Sequence, residues 1–313
     1  MPIFRQIAIL LLSSTFVLAT GEAWPETLNV NLVLSDGSAP YRQFADSFNK
    51  ALAENKGEVT VVESYGTGTP NANLIVAVGM KAAELAVSGN GTPVLAVMIP
   101  DTGYQELLAL PSRKIPHRSI SAIYVNQPWD RQLDFLQAAL PERHRIGLLH
   151  SLGTPIDIEG LRRQLARRGG SLLALPVRSA EGLFPTLESV FDGSDLLLAV
   201  PDTAIYNSNS IRNILLASYN KRIPLVGFSQ SYVNAGALCA VFSTTEQMAQ
   251  QVGAAVLSFS RTGQLPEPQY PAEFTIAVNQ QVARSLGIDL LSQEAIRDRM
   301  EKAQSGKNGR HEK

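Results

Sequence analysis

Asn73-Leu-Ile-Val-Ala-Val-Gly79 is followed by a helix-like Lys81 to Ser88 and then by Thr92-Pro-Val-Leu-Ala-Val-Met-Ile-Pro-Asp101. The plan returns as Asp195-Leu-Leu-Leu-Ala-Val-Pro-Asp202, a helix-like Ser210 to Tyr219, and Ile223-Pro-Leu-Val-Gly-Phe-Ser229. Each unit is a buried strand, a polar turn, a helix and a Pro-led buried strand. Continuous Val, Ile and Leu runs are what parallel strands look like when helices cover both faces. Two such units far apart in the chain predict two similar α/β lobes with a cleft between them. Such a cleft is a place to hold a small molecule.

Working outward, Leu28 to Leu34 reads as a first strand and Tyr41 to Glu54 as an amphipathic helix with Phe44, Phe48, Ala51 and Leu52 on one face. Val59 to Val62 is a second strand. Between Glu63 and Asn73 there is too little chain for a helix, although a parallel crossover usually carries one. That link is either a bare loop or a sign of different pairing. Further strands are expected at 120–125, 145–150, 171–177, 236–241 and 274–278, alternating with helices, which argues parallel sheets. Thr244 and Gln247 match a capping box, and Gly263 ends the helix it opens. The expected layout is residues 24–124 plus 242–268 in lobe one and 125–241 plus 269–300 in lobe two. The tail, 301–313, is expected to lack structure.

The formal net charge of −1 gives no electrostatic reason to expect nucleic acid. Arg162, Arg163, Arg167 and Arg168 fall at helical spacing and read as a solvated helix face. Arg5 precedes an apolar stretch, Ile7 to Leu18, and Ala19 and Ala23 are candidate cleavage positions, so residues 1–23 read as an export signal. A retained anchor is the alternative, but the stretch is short of the roughly 20 residues of a span. No Cys follows it, so no lipid anchor of the lipoprotein kind is expected. The single cysteine, Cys239, sits in an apolar run and reads as a small core residue.

Ligands of open parallel sheets lie beyond the carboxyl ends of the strands. The residues there are Ser35 and Asp36, Gly79 and Met80, Asp101, Ser151 and Thr154, Asp202 and Thr203, and Ser229 and Gln230. Gln127 opens a helix after a strand and joins this set. Hydroxyls, amides and carboxylates beside helix starts suit a small polar solute, although the commonest work of such side chains is capping. Tyr41, Tyr206 and Tyr232 could stack on a flat ligand. The four histidines show no metal-ligand spacing and no nucleophile elbow occurs, so neither metal nor cofactor is expected. Asp101 and Asp202 end matching strands, which keeps a hydrolase or isomerase using paired carboxylates in view.

Asp195–Asp202, Ile223–Phe228, Tyr232-Val-Asn-Ala-Gly-Ala237, Phe274-Thr-Ile-Ala-Val-Asn279 with Ala283–Ile288, and Leu140-Pro-Glu-Arg-His-Arg-Ile-Gly147 together carry a resemblance. The chain resembles the ABC-transporter substrate-binding proteins of the type I periplasmic-binding fold, in the group of tryptophan/tyrosine-type uptake binders. The resemblance implies two Rossmann-like lobes with parallel sheets joined by a hinge of three crossings. It also implies capture of a small solute, an amino acid or aromatic metabolite, for an ABC permease by a monomeric periplasmic protein without catalysis. A sensing module for a membrane receptor is the alternative. Asp202 matches the family's aspartate after the lobe-two strand, and Asn279 its late asparagine. The text after residue 64, at Gly79-Met80, after Asp101 and over 113–117 departs from the family on the ligand-facing side of lobe one.

Overall fold

The computed structural model describes residues 27–311 apart from 56, 67–70, 90 and 111–118. The expected export signal, part of the link between Glu63 and Asn73 and the 113–117 departure lie outside the described residues. The chain begins β1 (Leu28–Leu34), α1 (Ala39–Ala51), β2 (Val59–Tyr65), β3 (Leu74–Val78), α2 (Met80–Val87), β4 (Val94–Ile99), α3 (Asp101–Ala109) and β5 (Ile120–Tyr124). It continues α4 (Trp129–Ala139), β6 (Arg145–Ser151), α5 (Ile158–Arg167), β7 (Ser171–Val177), α6 (Leu183–Gly193), β8 (Leu196–Leu198) and α7 (Ile211–Asn220). Then come β9 (Leu225–Gly227), α8 (Gln230–Ala235), β10 (Cys239–Phe242), α9 (Thr245–Thr262), β11 (Thr275–Val278), α10 (Gln280–Leu286) and α11 (Gln293–His311).

These strands form two sheets, ordered β2-β1-β3-β4-β5 and β11-β10-β9-β8-β6-β7. In the first, every described pairing is parallel. Despite the short link after it, β2 pairs in parallel with β1 as the edge strand, and β1 lies between it and β3. In the second sheet β11 runs antiparallel to β10, against the expectation of an all-parallel sheet. The reason is topological. The chain leaves this sheet from the end of β10, builds α9 on the other one, and re-enters from the side it left.

Each sheet is a greasy layer between helices. On β1, Val30, Leu32 and Leu34 face a core shared with Phe44 and Phe48 of α1 and with Met248, Val252 and Val256 of α9. Val33 points the other way, toward α2 and α3. Thus α9, remote in sequence, completes the first layer. Its start is the expected capping box: Gln247 N–H donates to Thr244 Oγ1 at 3.2 Å and Thr244 N–H to Gln247 Oε1 at 2.9 Å. Gly263 closes it in the left-handed region at φ 66°. Cys239 is fully buried in the second sheet's core, and burial pushes its thiol up to about 12.

Two other expectations change. Residues 301–311 continue α11 where no structure was expected, since Glu301, Lys302, Ala303 and Gln304 are all good helix formers. Arg168 is not part of a solvated face, because it donates to Asp130 and Asp134 of α4 at 2.8 and 3.2 Å. The short α8, between β9 and β10, was not legible as a helix. Among the described residues no helix is long and apolar enough to cross a membrane.

Candidate functional site

The chain passes between the sheets three times, after β5, after β10 and before β11. One hydrogen-bonded cluster ties these crossings together. Gln127, buried in the first, donates from Nε2 to Ser243 Oγ in the second at 2.9 Å. Arg131 donates to Gln127 Oε1 at 2.6 Å and to the Pro271 and Ala272 carbonyls of the third at 2.8 and 3.2 Å. Ser243 Oγ in turn donates to the Glu273 carbonyl at 2.5 Å. Gln127, expected to face ligand, is therefore a joint between crossings.

Beside this joint a cleft of about 440 Å³ opens between the sheets. Pro100, Asp101, Thr102 and Gln105 wall it from the first sheet's side, and Thr154 to Asp157 with Val200 to Asp202 wall it from the second. Tyr124, Asn126 and Trp129 of the first crossing and Pro268 and Tyr270 of the third form its back.

Asp101 opens α3 and is held on three sides. Its N–H donates to Asn126 Oδ1 at 2.9 Å, its Oδ1 accepts from Thr102 N–H at 2.8 Å, and its Oδ2 accepts from the Tyr270 hydroxyl at 2.7 Å. Tyr270 meets Tyr124 edge-on at 5.0 Å between ring centroids, and Tyr124 leans on Tyr104 at 5.9 Å. Burial, with Tyr104 and Asp101 close by, pushes the Tyr124 hydroxyl up to about 12. Burial and the bond to Asp101 also raise Tyr270.

Across the cleft Asp202 braces the end of β6 to the end of β8. Its Oδ2 accepts from Ser151 N–H and its Oδ1 from the Ser151 hydroxyl, both at 2.7 Å, while Ala204 N–H donates to Oδ1 at 3.1 Å. Asp157 caps α5, accepting from Gly160 N–H at 2.7 Å.

Of the residues expected at the site, Asp101, Thr154 and Asp202 line this cleft, and Ser151 reaches it through Asp202. The others stand apart from the lining. Ser35 Oγ accepts from Ala82 N–H at 3.0 Å and donates to the Val78 carbonyl at 2.8 Å, which caps α2. The Tyr41 hydroxyl lies over Gly79, whose φ of 86° and lack of Cβ permit that approach. Met80 packs its sulfur against Gly103 at the start of α3. Asp36 accepts from Ser38 N–H at 2.8 Å in an exposed turn. Thr203 is exposed and gives its carbonyl to Asn207. Ser229 and Gln230 begin α8, Gln230 bonding Asn234 at 2.9 Å. Tyr206 and Tyr232 pack with Phe228, and the Tyr232 hydroxyl donates to the Tyr206 carbonyl at 2.9 Å. Sequence reasoning missed Tyr124 and Tyr270. A tyrosine ending a buried strand and another among prolines carry no periodic signal.

The sequence matches the family model described as ABC transporter substrate binding protein over residues 45–302. Three solved structures are similar in fold. A conserved domain protein from Vibrio cholerae has a TM-score of 0.64 at 18% identity, covering 88% of this chain and 98% of that one. An ABC domain from Streptococcus pneumonia in complex with L-Trp has 0.64 at 16%, covering 86% and 98%. A ligand-free, open substrate binding protein with adhesive properties from Clostridium difficile has 0.66 at 15%, again covering 86% and 98%. No curated protein matches the chain.

Proposed function

We propose that this chain, which belongs to the ABC transporter substrate binding protein family, is an exported binder that captures one small solute and hands it to an ABC permease. The observation that carries the reading is the cleft of about 440 Å³, walled by strand ends of both sheets. That volume is in the range of small-molecule sites, and its mixture of aromatic rings with a few fixed polar groups is their usual chemistry. The joint of Gln127, Arg131 and Ser243 supports a hinge, since it confines the connections between the sheets to one small region. A solute touching both walls stabilises the closed arrangement. The relative solved with L-Trp supports a solute of that size. The leader-like residues 1–23 support export to the periplasm.

The paired-carboxylate enzyme is the weaker reading. Asp101 and Asp202 are each engaged in hydrogen bonds within the chain, as a helix start and a strand brace use them. A thermal-shift screen of amino acids, amines, nucleosides, sugars and small carboxylates on the purified protein tests the proposal. At a hundredfold excess over Kd a binder adds about 2.7 kcal/mol of stability. A solute that stabilises the protein and is recovered unchanged supports capture. Conversion of the solute supports the enzyme, and no stabilising solute contradicts both.

A further inference from the structure

We propose that Met98 is a positioning residue of the cleft: its left-handed backbone turns over the end of β4 so that Asp101 and Tyr124 face the solute. This rests on the solute-capture reading above and adds a residue, outside the lining, that sets the shape of one wall.

Three residues other than glycine have positive φ among those described, and two of them, Asn71 and Arg222, stand in turns. Met98 has a φ of 54° inside the strand β4. An L side chain in the left-handed region crowds its own backbone, so such a residue persists where its surroundings hold it.

A register shift falls at the same place. Val97 pairs with Ile123 and Ile99 with Tyr124, so Met98 is one residue too many for β5. This is a β-bulge, and among the described strand pairings no other register is shifted. Its effect shows in the packing. Val97 and Met98, neighbours in sequence, both face the layer of α1 and α9, while Ile99 enters the layer of α2 and α3 with Tyr124. A regular strand alternates, and would send Met98 and Ile99 the other way round. The chain after the bulge is therefore turned over.

The bulge lies at the cleft and not at the other strand ends of its sheet. β1 and β3 end with regular pairing, and Ser35 and Gly79 just after them stand apart from the lining. β4 ends with the bulge. Pro100, Asp101 and Thr102 just after it line the cleft, as does Tyr124 opposite. Hydrogen bonds then lock the turned-over end. Val125 N–H donates to the Ile99 carbonyl at 2.8 Å, Asp101 N–H to Asn126 Oδ1 at 2.9 Å and the Tyr270 hydroxyl to Asp101 Oδ2 at 2.7 Å. Bulges recur beside functional sites, where they re-aim a side chain.

Three substitutions separate backbone conformation from bulk. Met98→Gly removes the side chain and permits the left-handed backbone. Met98→Ala removes it and disfavours that backbone. Met98→Ile keeps the bulk and, being β-branched, disfavours it most. A variant that populates the aimed arrangement less binds more weakly in proportion.

Wild type and the three variants, checked for folding by circular dichroism, are taken through one thermal-shift panel of amino acids, amines, nucleosides, sugars and small carboxylates. The panel solute that stabilises wild type most is then titrated into each by calorimetry. Affinity is expected to fall about twofold in Met98→Gly, about fivefold in Met98→Ala and about tenfold in Met98→Ile. The reverse order, with Met98→Ile closest to wild type, would show that Met98 serves by its bulk, and overturns the proposal. So does equal binding by all three. If no panel solute stabilises wild type, solute capture falls, and tyrosine absorbance still judges the bulge. Tyr124 and Tyr270 should then ionise at lower pH in Met98→Ile and stay late in Met98→Gly; the same titration in both variants overturns the aiming role.

Discussion

The Tyr270 hydroxyl donates to Asp101 Oδ2 at 2.7 Å across 169 positions of sequence. The bond pins the third crossing to the first turn of α3, so the back of the cleft and one wall move as a unit. Tyr270→Phe removes the donor and keeps the ring against Tyr124. A hydrogen bond to a charged group contributes about 1.5–3 kcal/mol, and the half-buried setting places this one at the low end. Urea unfolding is expected to show a loss of about 1.5 kcal/mol, with solute affinity falling roughly tenfold. Unchanged affinity would remove Tyr270 from the site.

Alkaline pH should loosen the molecule through its buried tyrosines. Burial raises Tyr124 and Tyr232 from 10.0 to about 12. Between these values the unfolded chain has lost protons that the folded one keeps, so stability falls as pH rises from 10 toward 12 and is flat below 10. Each group contributes a slope of at most about 1.4 kcal/mol per pH unit. Tyrosinate absorbance should show Tyr124 and Tyr232 titrating late, along with Tyr206 and Tyr270, which burial also raises, and Tyr124→Phe should remove one late group. A titration in which all tyrosines ionise near 10 would contradict the burial of both.

Gln127 holds Arg131 and Ser243 at once. Gln127→Ala takes one donor from the half-buried Ser243 hydroxyl and one acceptor from a guanidinium, at a cost of about 1–2 kcal/mol. Hydrogen exchange should quicken over 125–131, 243–245 and 271–274 together, since one joint serves all three crossings. Faster exchange confined to the first crossing would show that they are not coupled. The order of preference among solutes should not change.

Asp202 is a brace as well as a wall. Asp202→Ala leaves Ser151 N–H and hydroxyl and Ala204 N–H without their acceptor, so the melting temperature falls even without solute, by about 2–3 kcal/mol of stability. Ser151→Ala, which leaves the carboxylate in place, should cost about 1 kcal/mol and retain most binding. Equal losses from both variants would contradict the three-bond geometry.

Most of the architecture was legible because buried strands and amphipathic helices write their periods locally. The doubled unit around Gly79 and Asp202 gave the two sheets, and Thr244, Gln247 and Gly263 gave both ends of α9. The orientation of β11 was not legible, since it depends on where α9 packs and not on any residue of β11. The cleft lining was legible where strand ends supply it, at Asp101, Thr154 and Asp202. Gln127, Ser35 and Ser229 look the same in sequence but serve as joint or helix starts, because a polar residue after a strand can turn toward ligand or toward a neighbouring N–H. Tyr206 and Tyr232 sit in polar text yet pack with Phe228 in the second sheet's layer. Tyr270 becomes a site residue only through a contact with a residue far upstream.

The most direct test of capture between the sheets is calorimetric titration of the best solute from the screen, with small-angle scattering at saturation. Capture predicts one solute per chain, a smaller radius of gyration when bound, solute recovered intact, and binding lost in Trp129→Ala while the fold is retained. Binding that leaves the radius unchanged and survives Trp129→Ala would place the solute elsewhere and contradict the cleft as the site.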